Sequence, residues 1–512
     1  MLSAISDEKL EKKTDIHFYL EQRHIMKHLI ILFTTILLGL TNPVSAKPPT
    51  DKATPAAVNT ATSNTNSSTQ SQTCLNCHKA LTGGIVNQWK LSSHSNKGVG
   101  CYECHQADKG DSDGFEHNGF FIATIVSPKD CSRCHEKESK EFQASHHAEA
   151  AKILGSLDNV LAEVVEGNMH HDSPAAVSGC WQCHGSEVKV LAGGKLDPTT
   201  WPNTGVGRLN PDGSKGSCSA CHFRHNFSRA QARMPENCGR CHMGPDHPQI
   251  EIYNESKHGI AFAANRTRFE PLMEKKDWIP GKDYEQGPTC STCHMSATST
   301  LPLTHDVGSR ISWTLRPAIS EKIDAAAIAA GKKVKPWEER RDDMKQVCLA
   351  CHADQWVGNW YEQFDKSVGL YNDKFGIPAT KLYKMTRAAG LITNDIEFDD
   401  PLEFTYYFLW HHEGRRARHG ASMMGPDYTQ WHGNYEVAHR FYMEFVPQLR
   451  EVIEKGLKST DPAKVEGAKK VQAELDQVLN SENHRWFIGK MTVEEKDARK
   501  KASEEFRKRY AQ

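Results

Sequence analysis

The sequence has no excess of charge of either sign and no long apolar segment after Leu40. The formal net charge is −1 over 512 residues, so the chain lacks the basic surface by which proteins bind nucleic acid. A membrane-spanning helix needs about 20 apolar residues, and the chain after Leu40 has no such run. Hydrophobic residues make up only 38% and the mean hydropathy is −0.62, so a core made of side chains alone would be thin.

The sequence also has no spare cysteine. Its 16 cysteines fall into eight C-x-x-C-H motifs that use all of them, which leaves none for a disulfide, a zinc site or a nucleophile. The motif is the attachment signature of c-type haem, in which two thiols bond to the macrocycle and the adjacent histidine binds the iron on the proximal face. We therefore predict eight c-type haems, whose stack forms the centre of the molecule. The motifs, each given as two cysteines and a histidine, are Cys74, Cys77, His78; Cys101, Cys104, His105; Cys131, Cys134, His135; Cys180, Cys183, His184; Cys218, Cys221, His222; Cys238, Cys241, His242; Cys290, Cys293, His294; and Cys348, Cys351, His352.

The N-terminus has the pattern of an export signal, so residues 1–46 are predicted to be a leader and signal peptide. A short basic start precedes an uncharged run over residues 29–40, and Val44-Ser45-Ala46 is a small-residue cleavage site. The alternative is a membrane anchor, but the run is too short to span a bilayer. We expect export to the periplasm or an equivalent compartment, which fits c-type haem attachment. Residues 47–72 are rich in Pro, Ala, Ser, Thr and Asn and are predicted to be a disordered linker.

The rest of the chain divides at the last motif into residues 73–355, the predicted octahaem domain, and residues 356–512, a predicted C-terminal helical region. Apolar residues at helical spacing predict long helices in the second region, with a kink at Pro447 and a helix start at Asp461-Pro462. The fold class is mainly α: a multihaem cytochrome c with short helices and loops around a haem stack, followed by a bundle of long helices. Within the haem domain, residues 138–154 and 324–333 are predicted helices, the second capped by Asp324.

Six histidines outside the motifs are predicted to bind haem irons from the distal face. An electron-transfer haem takes a second histidine there, whereas a catalytic haem leaves that face open. The candidates lie in short helical or turn contexts, and the sequence does not pair them with particular haems. They are His94, His117, His146 (or its neighbour His147), His225, His258 and His305.

Two further segments have the composition of a reaction site. After the sixth motif, Asp246 and His247 are adjacent and are flanked by prolines. A carboxylate beside an imidazole in such a stiff segment can relay protons. The second segment, residues 423–435, is dense in aromatic and polar side chains. It indicates a pocket or an interface, with a turn followed by a packed helix as the alternative.

The motif Cys180-Trp181-Gln182-Cys183-His184, the Asp246-His247 pair and the segment Trp431-His432-Gly433 resemble the octahaem hydroxylamine oxidoreductase family. That family includes the hydrazine dehydrogenases of anaerobic ammonium oxidisers. The resemblance runs from Cys74 to the C-terminal helices. It implies that the fourth haem is catalytic with His184 as its proximal ligand, and that Asp246 and His247 are its acid–base pair.

The resemblance also implies a homotrimer in which a tyrosine from a neighbouring subunit bonds covalently to the catalytic haem of oxidising members. Residues 356–512 would then complete the active site and the oligomer interface. Two tyrosines match that position. We prefer Tyr428, which follows the irregular Pro426-Asp427 turn, and Tyr435 is the alternative.

The expected activity is oxidation of a small nitrogenous substrate, hydroxylamine or hydrazine, with electrons passed to a c-type cytochrome acceptor. Two alternatives stay open. The first is a reductase of the same architecture that converts nitrite or hydroxylamine to ammonia. The second is an electron-transfer protein without catalysis, in which all eight haems are closed by distal histidines.

Overall fold

The computed structural model describes residues 68–156, 160, 174–314, 320–393 and 397–511. The predicted leader and signal peptide, residues 1–46, and residues 47–67 of the predicted linker lie outside the described residues. Residues 69–72, which we had assigned to the linker, belong to the first helix. The side chain of Ser68 caps that helix by accepting a hydrogen bond from the backbone N–H of Ser71 at 3.2 Å.

The described residues between 68 and 352, which carry the motifs, form short helices joined by loops. Among them the 3-10 helices His146–Gly155 and Cys218–Ala220 interrupt the α-helices. The α-helices are Thr69–Leu81, Gly83–Lys90, Ser93–Asn96, Cys101–His105, Pro128–Ser132, Glu136–Ala144, Pro174–Ser178, Cys180–Cys183, Arg229–Arg233, Pro235–Gly239, Gln249–Glu255, Lys257–Met273, Cys290–His294, Glu321–Ala329 and Trp337–Cys348.

Strands are short among the described residues and form two antiparallel hairpins. Gly114–His117 pairs with Phe120–Ala123, with Phe115 opposite Ile122, and Val190–Leu191 pairs with Lys195–Leu196. The predicted fold class, mainly α, is confirmed.

The helix predicted over residues 138–154 is divided in two. The α-helix Glu136–Ala144 ends before Ser145, whose backbone is extended and whose hydroxyl donates a hydrogen bond to the carbonyl of Phe142 at 2.7 Å. A 3-10 helix then carries His146 and His147. Serine competes in this way for backbone groups that would otherwise continue a helix.

The predicted cap at Asp324 is wrong. The helix starts earlier, at Glu321, and ends at Ala329, so Asp324 lies inside its first turns. The carboxylate of Asp324 is buried, and each of its oxygens lies 3.1 Å from Nη2 of Arg340. An ion pair between two helices, rather than a helix cap, therefore explains this aspartate.

The C-terminal region, residues 354–511, has longer helical runs that include wide π-helical turns. The π segments are Asn372–Gly376, Phe408–Glu413, Gln430–Tyr435 and Arg440–Phe445. The α-helices are Asp354–Tyr371, Ile377–Ala388, Pro401–Tyr407, Gly414–Met423, Pro426–Thr429, Glu436–His439, Val446–Leu457, Pro462–Asn480 and Val493–Tyr510.

Two prolines explain two of the π segments. Pro378 and Pro447 are each the second residue of an α-helix that directly follows a π segment. Proline has no N–H and its ring clashes with the carbonyl four residues earlier, so a regular helix cannot pass through it. At Pro447, where a kink was predicted, the helical run continues through a widened turn. The start at Asp461-Pro462 is confirmed, because the carboxylate of Asp461 accepts a hydrogen bond from Ala463 N–H at 2.8 Å.

The larger cluster of buried apolar side chains lies in the C-terminal region. Its core contains Leu382, Phe441, Phe445 and Leu449 with the stripe Val471, Leu475 and Leu479. The last helix, Val493–Tyr510, has no buried residue. Within the described ranges, none of the helices combines the length and the apolar character that crossing a membrane requires.

Candidate functional site

One cavity of about 2220 Å³ is lined by the histidine of every C-x-x-C-H motif. The motifs lie on short helices or at helix ends, such as Cys101–His105, Cys180–Cys183 and Cys290–His294. Side chains three and four residues apart share a face of a helical turn. This spacing therefore directs the two thiols and the imidazole of one motif toward the same space.

Six motif histidines each face another histidine across this cavity. An iron held between two imidazoles, each at a metal–nitrogen distance of about 2 Å, separates the ring centroids by about 6 Å. The observed separations are 6.0–6.4 Å, so the residues fit haem with a ligand on each face. The pairs are His78 with His117 (6.2 Å), His135 with His94 (6.1 Å), His105 with His225 (6.4 Å), His222 with His305 (6.3 Å), His242 with His147 (6.1 Å) and His352 with His258 (6.0 Å).

Five of the six predicted distal histidines thus lie opposite a motif histidine, and the sixth position is taken by a neighbour. His147, rather than His146, faces His242. The ring of His146 lies beside Gly308, 3.3 Å from where a Cβ would stand. Successive residues of a 3-10 helix point about 120° apart, so only one of the two adjacent histidines faces His242. Of the two histidines that the sequence offered, His147 is therefore the one opposite His242.

Backbone groups lie beside two of the motif histidines, Ala123 at His105 and Val307 at His294. Such polar neighbours orient a metal-binding imidazole. Burial lowers the pKa of both His105 and His242 to about 4, which keeps them in the neutral form that binds iron.

Cysteines of different motifs approach one another and give the order of the motifs in space. Cys131 lies beside Cys218, Cys183 beside Cys241, and Cys238 beside Cys290. Further neighbours are Cys74 with Cys101, Cys104 with Cys131, Cys221 with Cys238, and Cys293 with Cys348. The order is therefore first, second, third, fifth, sixth, seventh and eighth, with the fourth motif beside the sixth.

The Asp246-His247 pair lies just after the sixth motif and lines the same region. Nδ1 of His247 is 2.6 Å from Oδ1 of Asp246, and the His247 ring centroid is 6.3 Å from that of His242. Sγ of Cys183, in the fourth motif, lies 3.8 Å from the carbonyl oxygen of Arg240 in the sixth. The pair predicted from sequence is therefore formed close to where the fourth and sixth motifs meet.

The other oxygen of Asp246 is bound from the C-terminal region. Nη1 of Arg415 donates to Oδ2 at 3.0 Å, and Nε2 of His411 lies 3.9 Å from the same oxygen. Burial would raise the pKa of Asp246, but the hydrogen bond from His247 and the nearby His411 and Arg415 outweigh it and hold the pKa well below its usual range. Asp246 is thus an anion with both oxygens engaged.

Sequence reasoning missed His411, Arg415 and His419. His419 lines the cavity and its ring lies 6.2 Å from Trp313. Burial and the nearby Arg418 lower the pKa of His419 to about 3. The available signal was spacing, because the three residues recur every four positions and so share one helical face. A run with several arginines is more often a solvated face, which hid that signal.

The two candidate tyrosines lie at different depths. Tyr428 is on the one-turn helix Pro426–Thr429, where it is partly buried, and that burial together with Glu251 and Glu255 raises its pKa. Tyr435 ends a π segment with 55% of its surface exposed. The predicted bond from one of them to a haem of another subunit stays a prediction.

Two sequence families match the chain. The family described as "Seven times multi-haem cytochrome CxxCH" matches residues 210–394. The family "Cytochrome c554 and c-prime" matches residues 45–106 and 130–223. Neither family model spans half of the chain, and together they support c-type haems at its motifs.

The chain is also similar to individual multihaem proteins. It is 26% identical over 339 residues to a probable nitrite reductase-hydroxylamine oxidoreductase fusion protein of Kuenenia stuttgartiensis, a match that covers 57% of the chain and only 35% of the relative. A solved hypothetical multiheme protein has 26% identity and a TM-score of 0.66 over 76% of this chain and 97% of that one. A reducing HAO-like protein complex of K. stuttgartiensis has the same fold, with a TM-score of 0.53 at 19% identity over 75% and 86% of the two chains. These likenesses support a HAO-like multihaem family and no particular member of it.

Proposed function

We propose that this protein is an octahaem enzyme that oxidises hydroxylamine, or hydrazine, at the haem held by Cys180, Cys183 and His184. The observation that carries the proposal is the carboxylate of Asp246, hydrogen-bonded to His247 and Arg415, beside the contact of the fourth and sixth motifs. Oxidation of an N–H bond releases protons as well as electrons. A site for this reaction therefore needs a proton acceptor near the iron.

The chain's own residues divide the proton chemistry between them. Bound haem supplies the redox chemistry, and the protein supplies orientation and proton transfer. Asp246 accepts the hydrogen bond of His247 Nδ1–H, which leaves Nε2 of His247 as the proton acceptor. Because Asp246 is held as an anion by Arg415 and His411 as well, it orients the imidazole rather than taking the first proton.

The six imidazole pairs support electron transfer away from the site. A haem with histidine on both faces exchanges electrons without binding small molecules. The motifs form a continuous series from the first to the eighth, with the fourth joined through the sixth. The electrons leave to a c-type cytochrome acceptor, and the protein is exported to the periplasm or an equivalent compartment.

In the oxidising enzyme, Tyr428 of one subunit bonds covalently to the catalytic haem of the next subunit within a homotrimer. Mass spectrometry of the haem peptide that contains Cys180 and Cys183 tests this. We expect a tyrosyl peptide to remain attached in the wild type and in Tyr435→Phe, and to be absent in Tyr428→Phe. The reverse pattern assigns the bond to Tyr435, and absence of any attached peptide contradicts the cross-link.

A reductive direction has its own support, since the names of two similar proteins refer to nitrite reductase and to a reducing complex. In that case the same site converts nitrite or hydroxylamine to ammonia and carries no tyrosine bond. The third possibility, an electron conduit with eight closed haems, predicts no binding of carbon monoxide or cyanide to any iron.

The experiment that tests the proposal compares Asp246→Asn and His247→Ala with the wild type at equal haem content. We expect each to lower the rate of substrate oxidation by about 10²–10⁴-fold, the usual contribution of acid–base groups. The matched control is His439→Ala with Glu444→Gln, an imidazole–carboxylate pair 3.6 Å apart in the C-terminal region. Wild-type turnover in both Asp246→Asn and His247→Ala would rule the proposal out.

A further inference from the structure

The carboxylate of Asp246 is shared between two distant parts of the chain. His247, its neighbour in sequence, binds Oδ1 at 2.6 Å, and Arg415 binds Oδ2 at 3.0 Å from the C-terminal region. The side chain of Asp246 is 17% exposed and that of Arg415 24% exposed. The ion pair is therefore largely shielded from solvent. Charge interactions are stronger in such a shielded position than in water.

Arg415 is itself fixed in place. It is the second residue of the helix Gly414–Met423, which follows the π segment Phe408–Glu413. Its guanidinium lies over the ring of Trp410, 5.3 Å from the ring centroid, and such stacking restricts a planar cation. The wide turn before this helix thus presents Trp410, His411 and Arg415 toward the loop that carries Asp246.

We propose that Arg415 is a positioning residue of the reaction, which binds the Asp246 carboxylate and holds it in one orientation so that His247 keeps its Nε2 free to accept the substrate's proton. This inference rests on the proposed function and adds a group to it. The competing explanation is a purely structural ion pair that attaches the C-terminal helices to the haem-binding region.

The two explanations differ in their effect on pH dependence. The groups that face the Asp246 carboxylate are His247, His411 and Arg415. Without the charge of Arg415, the pKa of Asp246 rises and the pair holds a proton to higher pH. The acid limb of the pH–rate profile then moves upward, which the loss of a structural contact alone does not cause.

The test uses the holoprotein with Arg415→Gln and Arg415→Lys. We expect Arg415→Gln to lower turnover by about 10- to 100-fold, the usual effect of removing an outer partner of a metal site. We also expect it to move the acid limb to higher pH and to slow the association of cyanide with the oxidised protein in the same pH range. Arg415→Lys keeps the charge. It should therefore restore part of the turnover, of the position of the acid limb and of the rate of cyanide association.

Arg387→Gln is the matched control, because Arg387 has 22% exposure and pairs with Glu397 at 3.1 Å in the C-terminal region. It should keep wild-type profiles. If Arg415→Gln lowers turnover uniformly with pH, with unchanged cyanide association, Arg415 is structural and the inference fails. If Arg415→Gln behaves as wild type while Asp246→Asn is inactive, the inference fails and the proposed function stands. If Asp246→Asn is active as well, both fail.

Discussion

The haem-binding region and the C-terminal region are both mainly helical, but they are filled in different ways. In residues 354–511, eighteen buried apolar residues form one cluster. In residues 68–352, the described apolar cluster has seven buried members, Ala230, Tyr253, Phe262, Phe269, Met273, Trp278 and Tyr284. The centre of that region is instead the cavity lined by thiols and imidazoles. One region thus has a core of side chains, and the other has room for a core of macrocycles.

Short helices also leave many backbone carbonyls without partners, since the last four of each helix have none within it. In the haem-binding region, buried arginines donate hydrogen bonds to such carbonyls. Arg310 donates to the carbonyls of Thr292, Cys293, Ser296 and Pro302 at 2.9–3.4 Å, around the seventh motif. These hydrogen bonds from Arg310 take the place of the regular backbone hydrogen bonds that long helices provide elsewhere in the chain.

The largest effect should follow from withholding haem. When the chain is made without cytochrome c maturation, we expect residues 68–352 to lose their packed structure, because their apolar cluster is too small to replace the haems. Residues 354–511 should keep their helices. Hydrogen exchange of amides, measured by mass spectrometry, checks this by region.

The holoprotein is the reference, with protection expected in both regions. Equal loss of protection in the two regions of the apoprotein would show that the C-terminal core also depends on haem, and would remove the contrast.

The motifs explain why the haem-binding region was largely predictable. A covalent signature with fixed spacing identifies thiols and proximal histidines one by one, and a surplus of histidines indicates distal partners. His94, His117, His225, His258 and His305 all face a motif histidine. The sequence could not choose between His146 and His147, because the bend at Ser145 depends on a side-chain hydrogen bond that propensity does not reveal.

The part of the site that sequence did not reveal comes from the other region. Asp246 and Arg415 are 169 positions apart, and their contact depends on how the C-terminal helices pack. A π turn before Gly414 sets the direction of Arg415, and no proline marks this turn in the sequence as Pro378 and Pro447 mark two others. The adjacent pair Asp246-His247 needed no such information.

A second prediction concerns a cavity in the side-chain core. Phe441 is fully buried among Phe375, Tyr442 and Phe445. We expect Phe441→Ala to lower the free energy of unfolding of the C-terminal region by about 3–5 kcal/mol. Urea unfolding followed by far-UV circular dichroism measures this.

The haem absorption of Phe441→Ala should stay as in the wild type at low urea. A parallel loss of the haem spectrum would show that the two regions unfold together, which weakens the distinction between their cores.

A third prediction uses pH. His484 is buried in the C-terminal core, where Tyr442 Oη lies 2.9 Å from its Nδ1. Burial lowers the pKa of His484 from 6.5 to about 4, so the unfolded chain binds a proton in that interval and the folded chain does not. Stability from this group is complete above pH 6.5 and is lost as pH falls toward 4.

Thermal unfolding of the C-terminal region at several pH values checks this, with His484→Gln as the variant. The variant should be less stable at neutral pH and should lose less stability between pH 6.5 and 4. An identical pH dependence in the two proteins would contradict the assignment to His484.

The smallest effect tests whether helix caps matter equally in the two regions. Asp461 caps Pro462–Asn480 by accepting a hydrogen bond from Ala463 N–H at 2.8 Å, and Ser256 caps Lys257–Met273 by accepting one from Gly259 N–H at 3.2 Å. Asp461→Ala should cost about 1 kcal/mol of stability in the C-terminal region, while Asp461→Asn keeps an acceptor and should cost less. Ser256→Ala removes an equivalent bond from the helix that carries His258, which is opposite His352. If haem attachment holds the first region together, this change should shift its unfolding by less than Asp461→Ala shifts that of the second. Equal shifts would mean that helix ends, and not only the haems, stabilise the haem-binding region.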